Sequence, residues 1–274
     1  MGLYRVEALV LRSRDMGEAD RLLTLYARAQ GKLRAVARGS RRPRSRLMGA
    51  TQPLCHGRFL LMSGRELETV TQAELVGHAL RPLREDLLRM AVASLTAELV
   101  DALVEERAPS EALFEALLAC WHNLAGASPA GMEGVLWWFE LRLLDLLGYA
   151  PVLDRCVACR VEPKPQEAMA FSPQEGGCLC SRCRARDPLA VRLSPRARSL
   201  LVALRRMAPT GASRVILPRQ EARMVREALG RFIEGHLGAP LKAASLAYAF
   251  MDQAGQQPAG EVAPALQGGT QHVG

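Results

Sequence analysis

Two CxxC pairs constrain the fold of this chain more than any other feature of its sequence. Cys156 with Cys159, and Cys180 with Cys183, form two short turns that are twenty residues apart. A CxxC turn brings two sulfur atoms to one side of a tight loop, and a second turn completes a tetrahedral set of thiolates. The spacing predicts one structural Zn²⁺ ion in an insertion at residues 155–186. Four protein ligands leave no coordination position for a substrate, so the expected role of the metal is folding.

Alternatives to this zinc site stay open from the sequence alone. Disulfides or unrelated core cysteines would use the same residues, and a single CxxC pair would be typical of a redox dithiol. Cys178 could replace Cys180 as a ligand, because residues two apart on a strand share a face, but the CxxC spacing favours Cys180. The linker at residues 160–179 contains three prolines, two glycines and few large apolar side chains. We therefore expect the metal to act as the core of this insertion, which should unfold without it.

Length and cysteine usage limit the class of protein. A chain of 274 residues suggests about two domains. The chain begins on a strand-like pattern without an apolar signal region, and no apolar run is long enough to cross a membrane. Seven cysteines, an odd number with metal-type spacing, favour a reducing compartment. These features predict a cytoplasmic protein with no membrane contact.

Charge is unevenly distributed along the chain. The formal net charge is +8, and the balance of Lys and Arg against Asp and Glu is +7 in residues 1–80, −6 in residues 81–150 and +8 in residues 191–251. Two basic regions are thus joined through an acidic one. Basic regions of this density favour phosphate backbones, because each neutralised phosphate releases a condensed counterion. The alternative is an arginine-rich surface that only keeps the protein soluble.

Residues 1–80 contain five strand-like runs, with alternating apolar residues and turn signals between them. Five short strands in this length predict a small Greek-key barrel of the OB type, whose open face and loops commonly bind single-stranded nucleic acid. An SH3-like barrel is the competing interpretation. The runs are Leu3 to Arg14, Asp20 to Arg28, Lys32 to Arg38, Leu54 to Met62 and Arg65 to Ala73.

Two groups of basic residues in this region are expected to contact a phosphate backbone. Alternation places the basic side chains of the third run on one face, and Pro43 marks the next segment as a basic loop. Arginine suits this role because its planar guanidinium grips phosphate at two points. The predicted contacts are Lys32, Arg34, Arg38, Arg41, Arg42, Arg44 and Arg46.

Residues 81–251 carry helical periodicity, so the predicted fold class is α+β with a helical domain after the barrel. Ser110 is expected to cap a helix, and Trp121, Trp137 and Trp138 lie on helical stripes that predict core positions rather than base stacking. Residues 252–274 are rich in Gly, Gln, Ala and Pro, which predicts a disordered tail. The last long helix is expected to present a second basic surface for DNA or an acidic partner, formed by Arg219, Arg223, Arg226 and Arg231.

Enzyme motifs are absent from the sequence, which contains no P-loop, GxSxG or HExxH. The five histidines form no pair at ligand or triad-like spacing. We therefore predict a binding protein rather than an enzyme. A zinc protein that binds structured RNA is the alternative, because nothing in the sequence indicates whether a 2′-hydroxyl is recognised.

Four stretches, taken together and in this order, resemble the RecO family of bacterial recombination mediators, and the similarity extends to about residue 250. They are ALVLRSRDMGEADRLLTLY (Ala8 to Tyr26), GKLRAVARGSRRPRSRL (Gly31 to Leu47) followed by Gln52 and Pro53, FELRLLDLLGYAP (Phe139 to Pro151) and FSPQEGGCLCSRC (Phe171 to Cys183).

The resemblance implies an N-terminal OB fold, a helical domain and an embedded four-cysteine zinc motif. It also implies a nucleoid-associated protein that binds single- and double-stranded DNA and anneals complementary strands. The implied partners are RecR and the single-stranded-DNA-binding protein, SSB. With RecR, such a protein helps to load the RecA recombinase onto SSB-coated DNA.

Overall fold

A computed structural model describes residues 2–254, and its N-terminal part is a closed five-stranded barrel. The strand order is β1-β2-β3-β5-β4, and β4 pairs back onto β1. The pairing between β3 and β5 is parallel, whereas the other neighbours are antiparallel. This closed order confirms the predicted OB-like barrel. The strands are β1 (Leu3–Met16), β2 (Asp20–Ala27), β3 (Gly31–Ala37), β4 (His56–Met62) and β5 (Glu68–Leu75).

The middle of strand β1, residues 8–11, is buried on both of its faces, and it joins the barrel to the helices. Val6, Ala8 and Val10 point into the barrel core, together with side chains such as Phe59. Leu9 lies on the opposite face and belongs to the core of the helical region. The outer surface of the barrel is therefore covered by helices along the middle of β1.

Eight helices of four or more residues follow the barrel in the described part of the chain. Ser110 caps α3 by accepting a hydrogen bond from the Leu113 amide at 3.2 Å, as predicted. The three tryptophans lie in the core, and Trp121 donates its indole N–H to Thr96. The helices are α1 (Pro82–Glu85), α2 (Leu87–Leu103), α3 (Glu111–Gly126), α4 (Met132–Leu146), α5 (Pro195–Leu204), α6 (Pro209–Ala212), α7 (Arg219–Leu237) and α8 (Lys242–Ala254).

The connection between α2 and α3, residues 104–110, completes the barrel on the β3 side. Strand β3 pairs with β5 over two residue pairs only, so much of this edge is left for another segment. The Arg107 amide donates to the Lys32 carbonyl at 2.9 Å. Gly31, at φ +69°, permits this close approach, because an added Cβ would lie 2.5 Å from the backbone of Ala108. We call residues 104–110 the α2–α3 connection.

A small sheet lies between α4 and α5, and it corrects one prediction from the sequence. Its strands are β6 (Met169–Ser172), β7 (Gly177–Leu179) and β8 (Val191–Leu193), in the order β7-β6-β8. All residues of β6 and β7 are buried, and the Phe171 ring packs edge-on against Phe232 of α7 with centroids 5.7 Å apart. The expectation of a nearly core-free linker is wrong, because these strands pack on the main helical core.

The C-terminal helix α8 corrects two further predictions. Residues 252–254 belong to α8 rather than to a tail, and the remainder of the predicted tail, residues 255–274, lies outside the described residues. Arg226 of α7 is 8% exposed instead of pointing outward. It contacts Glu133 at 2.6 Å and Asp252 at 2.9 Å, because α8, which packs on α2, brings the Asp252 carboxylate within reach of α7. Within residues 2–254, no helix is both long enough and apolar enough to cross a membrane.

Candidate nucleic-acid interface and metal centre

The four cysteines of the two CxxC pairs meet at one point. Their sulfur atoms all lie within 4.8 Å of one another, and the sulfurs of Cys159 and Cys180 are 3.7 Å apart. Tetrahedral zinc with Zn–S bonds of about 2.3 Å requires sulfur separations of about 3.8 Å. The donor set therefore fits a tetrahedral metal ion. Cys178 is not part of this cluster; it is fully buried and points into the core.

Tight turns hold the sulfurs in this position. The Cys156 amide donates to the Val161 carbonyl at 2.9 Å, and Arg160 adopts a left-handed conformation at φ +66° that closes the first turn. The second turn is closed by the Cys183 amide, which donates to the Cys180 carbonyl at 3.0 Å. The first turn is attached to β7, because the Val157 amide donates to the Cys178 carbonyl at 2.8 Å.

The thiols of the cluster differ in acidity. Burial alone would raise the pKa of Cys156, but backbone N–H donors from Cys159, Cys180 and Ala158 lower it to about 6. Hydrogen bonds to Cys159 and Cys180 raise the pKa of Cys183 to about 12. Cys156 thus ionises readily, whereas Cys183 holds its proton. A divalent cation held by these sulfurs would favour the thiolate form of Cys183 as well, because its charge stabilises several thiolates at once.

The outer face of β1, β2 and β3 carries part of the predicted basic surface. Strand register places Thr24 of β2 between Arg12 of β1 and Arg34 of β3, and the next row contains Arg14 beside Leu22. Exposure increases along this face away from the helices, and Arg14 is exposed. The face is therefore basic and open at the end that is remote from the helical domain.

Acidic residues of the helical domain cover the other end of this face. The side chain of Lys32 is 12% exposed, its ammonium donates to the Asp101 carbonyl, and it lies 3.7 Å from the Asp101 carboxylate. Arg34 contacts Glu106 of the α2–α3 connection at 2.5 Å, although half of its side chain remains exposed. Lys32 thus lies at the junction of the two regions, whereas Arg34 lies at the border of the open face.

The loop after β3 carries the most accessible basic residues of the predicted set. Arg41 is tied to the β1–β2 turn, because it contacts Asp15 at 3.3 Å and donates to the Gly17 carbonyl. The other arginines of this group form no salt bridge with any residue among 2–254, and all of them are exposed: Arg38, Arg42, Arg44 and Arg46.

A second basic surface on the barrel contains two arginines, Arg5 and Arg58, that were not predicted from the sequence. An open groove of about 820 Å³ lies over β4 and β5, and its lining includes Arg5, Arg46 and Arg58. Arg5 and Arg58 project outward between inward-facing residues of β1 and β4. Strand alternation around Val6 and Phe59 was the signal that could have identified them.

The predicted second basic surface on α7 is largely paired within the protein. Arg219, Arg223 and Arg226 all contact the carboxylate of Asp252, at 4.0, 2.8 and 2.9 Å. Arg231 points elsewhere, contacts Glu227 at 2.7 Å and donates to the Leu189 carbonyl. The four arginines therefore do not form one free surface, and three of them fix the end of α8.

Comparison with known proteins covers both regions of the chain. A family model described as Recombination protein O N terminal matches residues 1–79, and one described as Recombination protein O C terminal matches residues 84–245. DNA repair protein RecO of Pelotomaculum thermopropionicum is 42% identical over 266 residues, which cover 95% of this chain and 98% of that protein.

Two further relatives carry the same name, DNA repair protein RecO. The protein of Symbiobacterium thermophilum is 46% identical over 195 residues, which cover 71% of this chain and 76% of that protein. The protein of Bacillus pumilus is 33% identical over 240 residues, or 88% of this chain and 91% of that protein. The matches extend across the barrel, the helices and the four-cysteine segment, and the chain therefore belongs to the RecO family of DNA repair proteins.

Proposed function

We propose that this protein is a DNA-binding recombination mediator that anneals complementary single strands and has no enzymatic activity of its own. The supporting observation is the run of exposed, unpaired arginines in the loop after β3, beside the open basic face of an OB-like barrel. Such a surface binds the phosphate backbone without reading the bases. Membership of the RecO family supports the repair context, and RecR, SSB and RecA are the proposed partners on DNA in the nucleoid.

The structure changes the set of residues that we propose as DNA contacts. Lys32 is left out, because its ammonium is occupied by Asp101. Arg41 contributes charge while it also holds the loop against the β1–β2 turn. Arg14 is added, because it is exposed on the same face. The proposed contacts for the first strand are Arg14, Arg34, Arg38, Arg41, Arg42, Arg44 and Arg46.

Zinc is the proposed metal of the four-cysteine cluster. Four thiolates in a tetrahedral arrangement favour Zn²⁺ over harder cations, which prefer oxygen ligands. Cys156, Cys159, Cys180 and Cys183 would hold the ion. With four protein ligands its role is structural, namely to fix the two turns next to β7.

Binding and annealing assays test the proposal on the purified full-length chain. We expect the protein to bind a labelled single-stranded DNA, with an affinity that falls steeply as salt rises, and to accelerate pairing of complementary strands. RNA of equal length serves as competitor. If less RNA than unlabelled DNA were needed to displace the labelled DNA, an RNA-binding function would be favoured. If the protein did not accelerate pairing of complementary strands, the annealing role would be contradicted.

A further inference from the structure

The barrel carries a second basic groove that shares only Arg46, near the end of the basic loop, with the proposed first-strand contacts. The groove lies over β4 and β5, and Arg5, Arg46 and Arg58 line it. All three arginines are exposed, and within residues 2–254 none of them forms a salt bridge. Glu74 also lines the groove, opposite Arg58, so that these four side chains carry a net charge of +2. The groove therefore suits an anionic ligand.

Strand register brings the arginines of the groove close together. Arg5 of β1 lies opposite Leu60 of β4, two residues from Arg58 on the same face of the sheet. Diagonal neighbours of this kind are about 7–8 Å apart, so two guanidinium groups on long side chains reach neighbouring phosphates of one backbone. Thr71 and Gln72 add exposed polar side chains at the rim. The described residues place no exposed aromatic ring in the lining, which favours backbone binding without a base preference.

The docked helical domain separates this groove from the first basic face. Both surfaces use β1, one through Arg5 and the other through Arg14. The outward residues between them are unavailable to a phosphate backbone, because Leu9 belongs to the helical core and the Glu7 carboxylate, which is itself negative, is held by Arg28 and His56. A strand on one surface therefore cannot continue across β1 to the other.

The basic loop links the two surfaces on the other side of the barrel. One end is anchored at the β1–β2 turn by the Arg41 amide, which donates to the Ala19 carbonyl at 2.9 Å. The other end reaches the groove, where Arg46 and Leu47 are part of the lining. Positive charge between the surfaces lowers the repulsion between two phosphate backbones held on either side of the loop.

We propose that the groove formed by Arg5, Arg46 and Arg58 binds a second DNA strand, so that one barrel holds both strands before they pair. This inference rests on the proposed annealing function, and it assigns the second strand to the barrel rather than to α7. The arginines of α7 are less suited, because Asp252 engages three of them.

Paired double variants test the assignment. Arg5→Gln with Arg58→Gln removes two charges from the groove, and Arg219→Gln with Arg223→Gln removes two charges from α7 as the matched control. Native mass spectrometry with short, non-complementary oligonucleotides counts the strands on one chain. Annealing of naked complementary strands is measured in parallel, with circular dichroism to confirm that each variant is folded.

We expect the wild-type chain to bind two strands and the groove variant to bind one. Affinity for the first strand should fall by less than about threefold in the groove variant, while annealing should fall at least about tenfold. The α7 variant should retain both properties. Two bound strands and normal annealing in the groove variant would overturn the inference, as would loss of annealing confined to the α7 variant. A wild-type chain that does not anneal would instead refute the proposed function.

Discussion

Replacement of Cys159 by serine, or chelation of the metal, is expected to loosen the two CxxC turns and to leave the β6–β8 sheet folded. The turns depend on a few backbone hydrogen bonds, each of which contributes roughly 0.5–1.5 kcal/mol. The sheet depends on packing, since Met169, Phe171 and Leu179 are at most 1% exposed. Burial of three such side chains contributes about 5–9 kcal/mol as an upper estimate, and this contribution does not involve the metal.

Native-state hydrogen exchange with and without chelator measures this difference. We expect the amides of Cys156 and Cys183 to lose protection, since they donate within the two turns. The amides that join β6 to β7 and β8 should remain protected. Loss of protection throughout β6–β8 would refute the packing argument and restore the view that the metal is the core of this insertion.

A cysteine control separates metal binding from packing. Cys178→Ser places a hydroxyl in the core but removes no ligand of the cluster. We expect this variant to be less stable than the wild type and to retain one metal ion per chain by elemental analysis. Loss of the metal from Cys178→Ser, with retention in Cys180→Ser, would contradict the assignment of Cys180 as a ligand.

Two other predictions concern stability. Burial raises the pKa of Glu140 from 4.5 to about 8, so the folded state holds a proton that the unfolded state releases above about pH 4.5, and stability falls as pH rises through this range. Glu140→Gln should remove this pH dependence. At pH 9 the free energy of unfolding of the variant, measured by denaturant titration, should exceed that of the wild type by up to a few kcal/mol. If the unfolding free energies of both proteins changed equally with pH, the prediction would be contradicted. Gly31→Ala should destabilise by about 2–5 kcal/mol, because the methyl group meets Ala108 and the left-handed φ is strained. Gly17→Ala is the control, because Gly17 has a similar φ of +62° but an added Cβ would have no atom within 4 Å, and this variant should lose only about 1–2 kcal/mol of stability. An equal loss of stability in the two variants would show that the contact with Ala108 is unimportant.

Much of the architecture was predictable because its signals are local. The CxxC spacing identified the four sulfurs, the alternation of β1 to β3 indicated the barrel, and Ser110 marked the start of α3. Each signal depends on a few consecutive residues whose conformation is set by capping or by strand periodicity. The sequence could not exclude the SH3-like alternative, because the OB-like order depends on the pairing of β3 with β5, a long-range contact that no local pattern encodes.

The errors arose where a distant segment decides the environment of a residue. Strands of three and four residues, such as β7 and β6, are too short to show a period, so their burial was missed. Strand alternation correctly placed Lys32 on the same face of β3 as Arg34. However, Asp101 of α2 and Glu106 of the α2–α3 connection cover the end of this face at which Lys32 lies. Arg226 appeared to point outward, because its partner Asp252 belonged to a segment predicted to be a tail.

The salt dependence of single-strand binding tests the central claim most directly. Each phosphate contact contributes a slope of about −0.7 to the plot of log affinity against log salt for single strands. Replacing the four unpaired loop arginines by glutamine should therefore reduce the magnitude of the slope by up to about 3. They are Arg38, Arg42, Arg44 and Arg46.

A control with the same change in charge uses four exposed arginines outside the barrel. They are Arg192, Arg196, Arg206 and Arg214. We predict that the loop variant loses affinity for all DNA sequences alike and shows the flattened slope, while the control variant keeps the wild-type slope. An unchanged slope in the loop variant, or equal flattening in both variants, would contradict the account of the barrel as the DNA-binding surface.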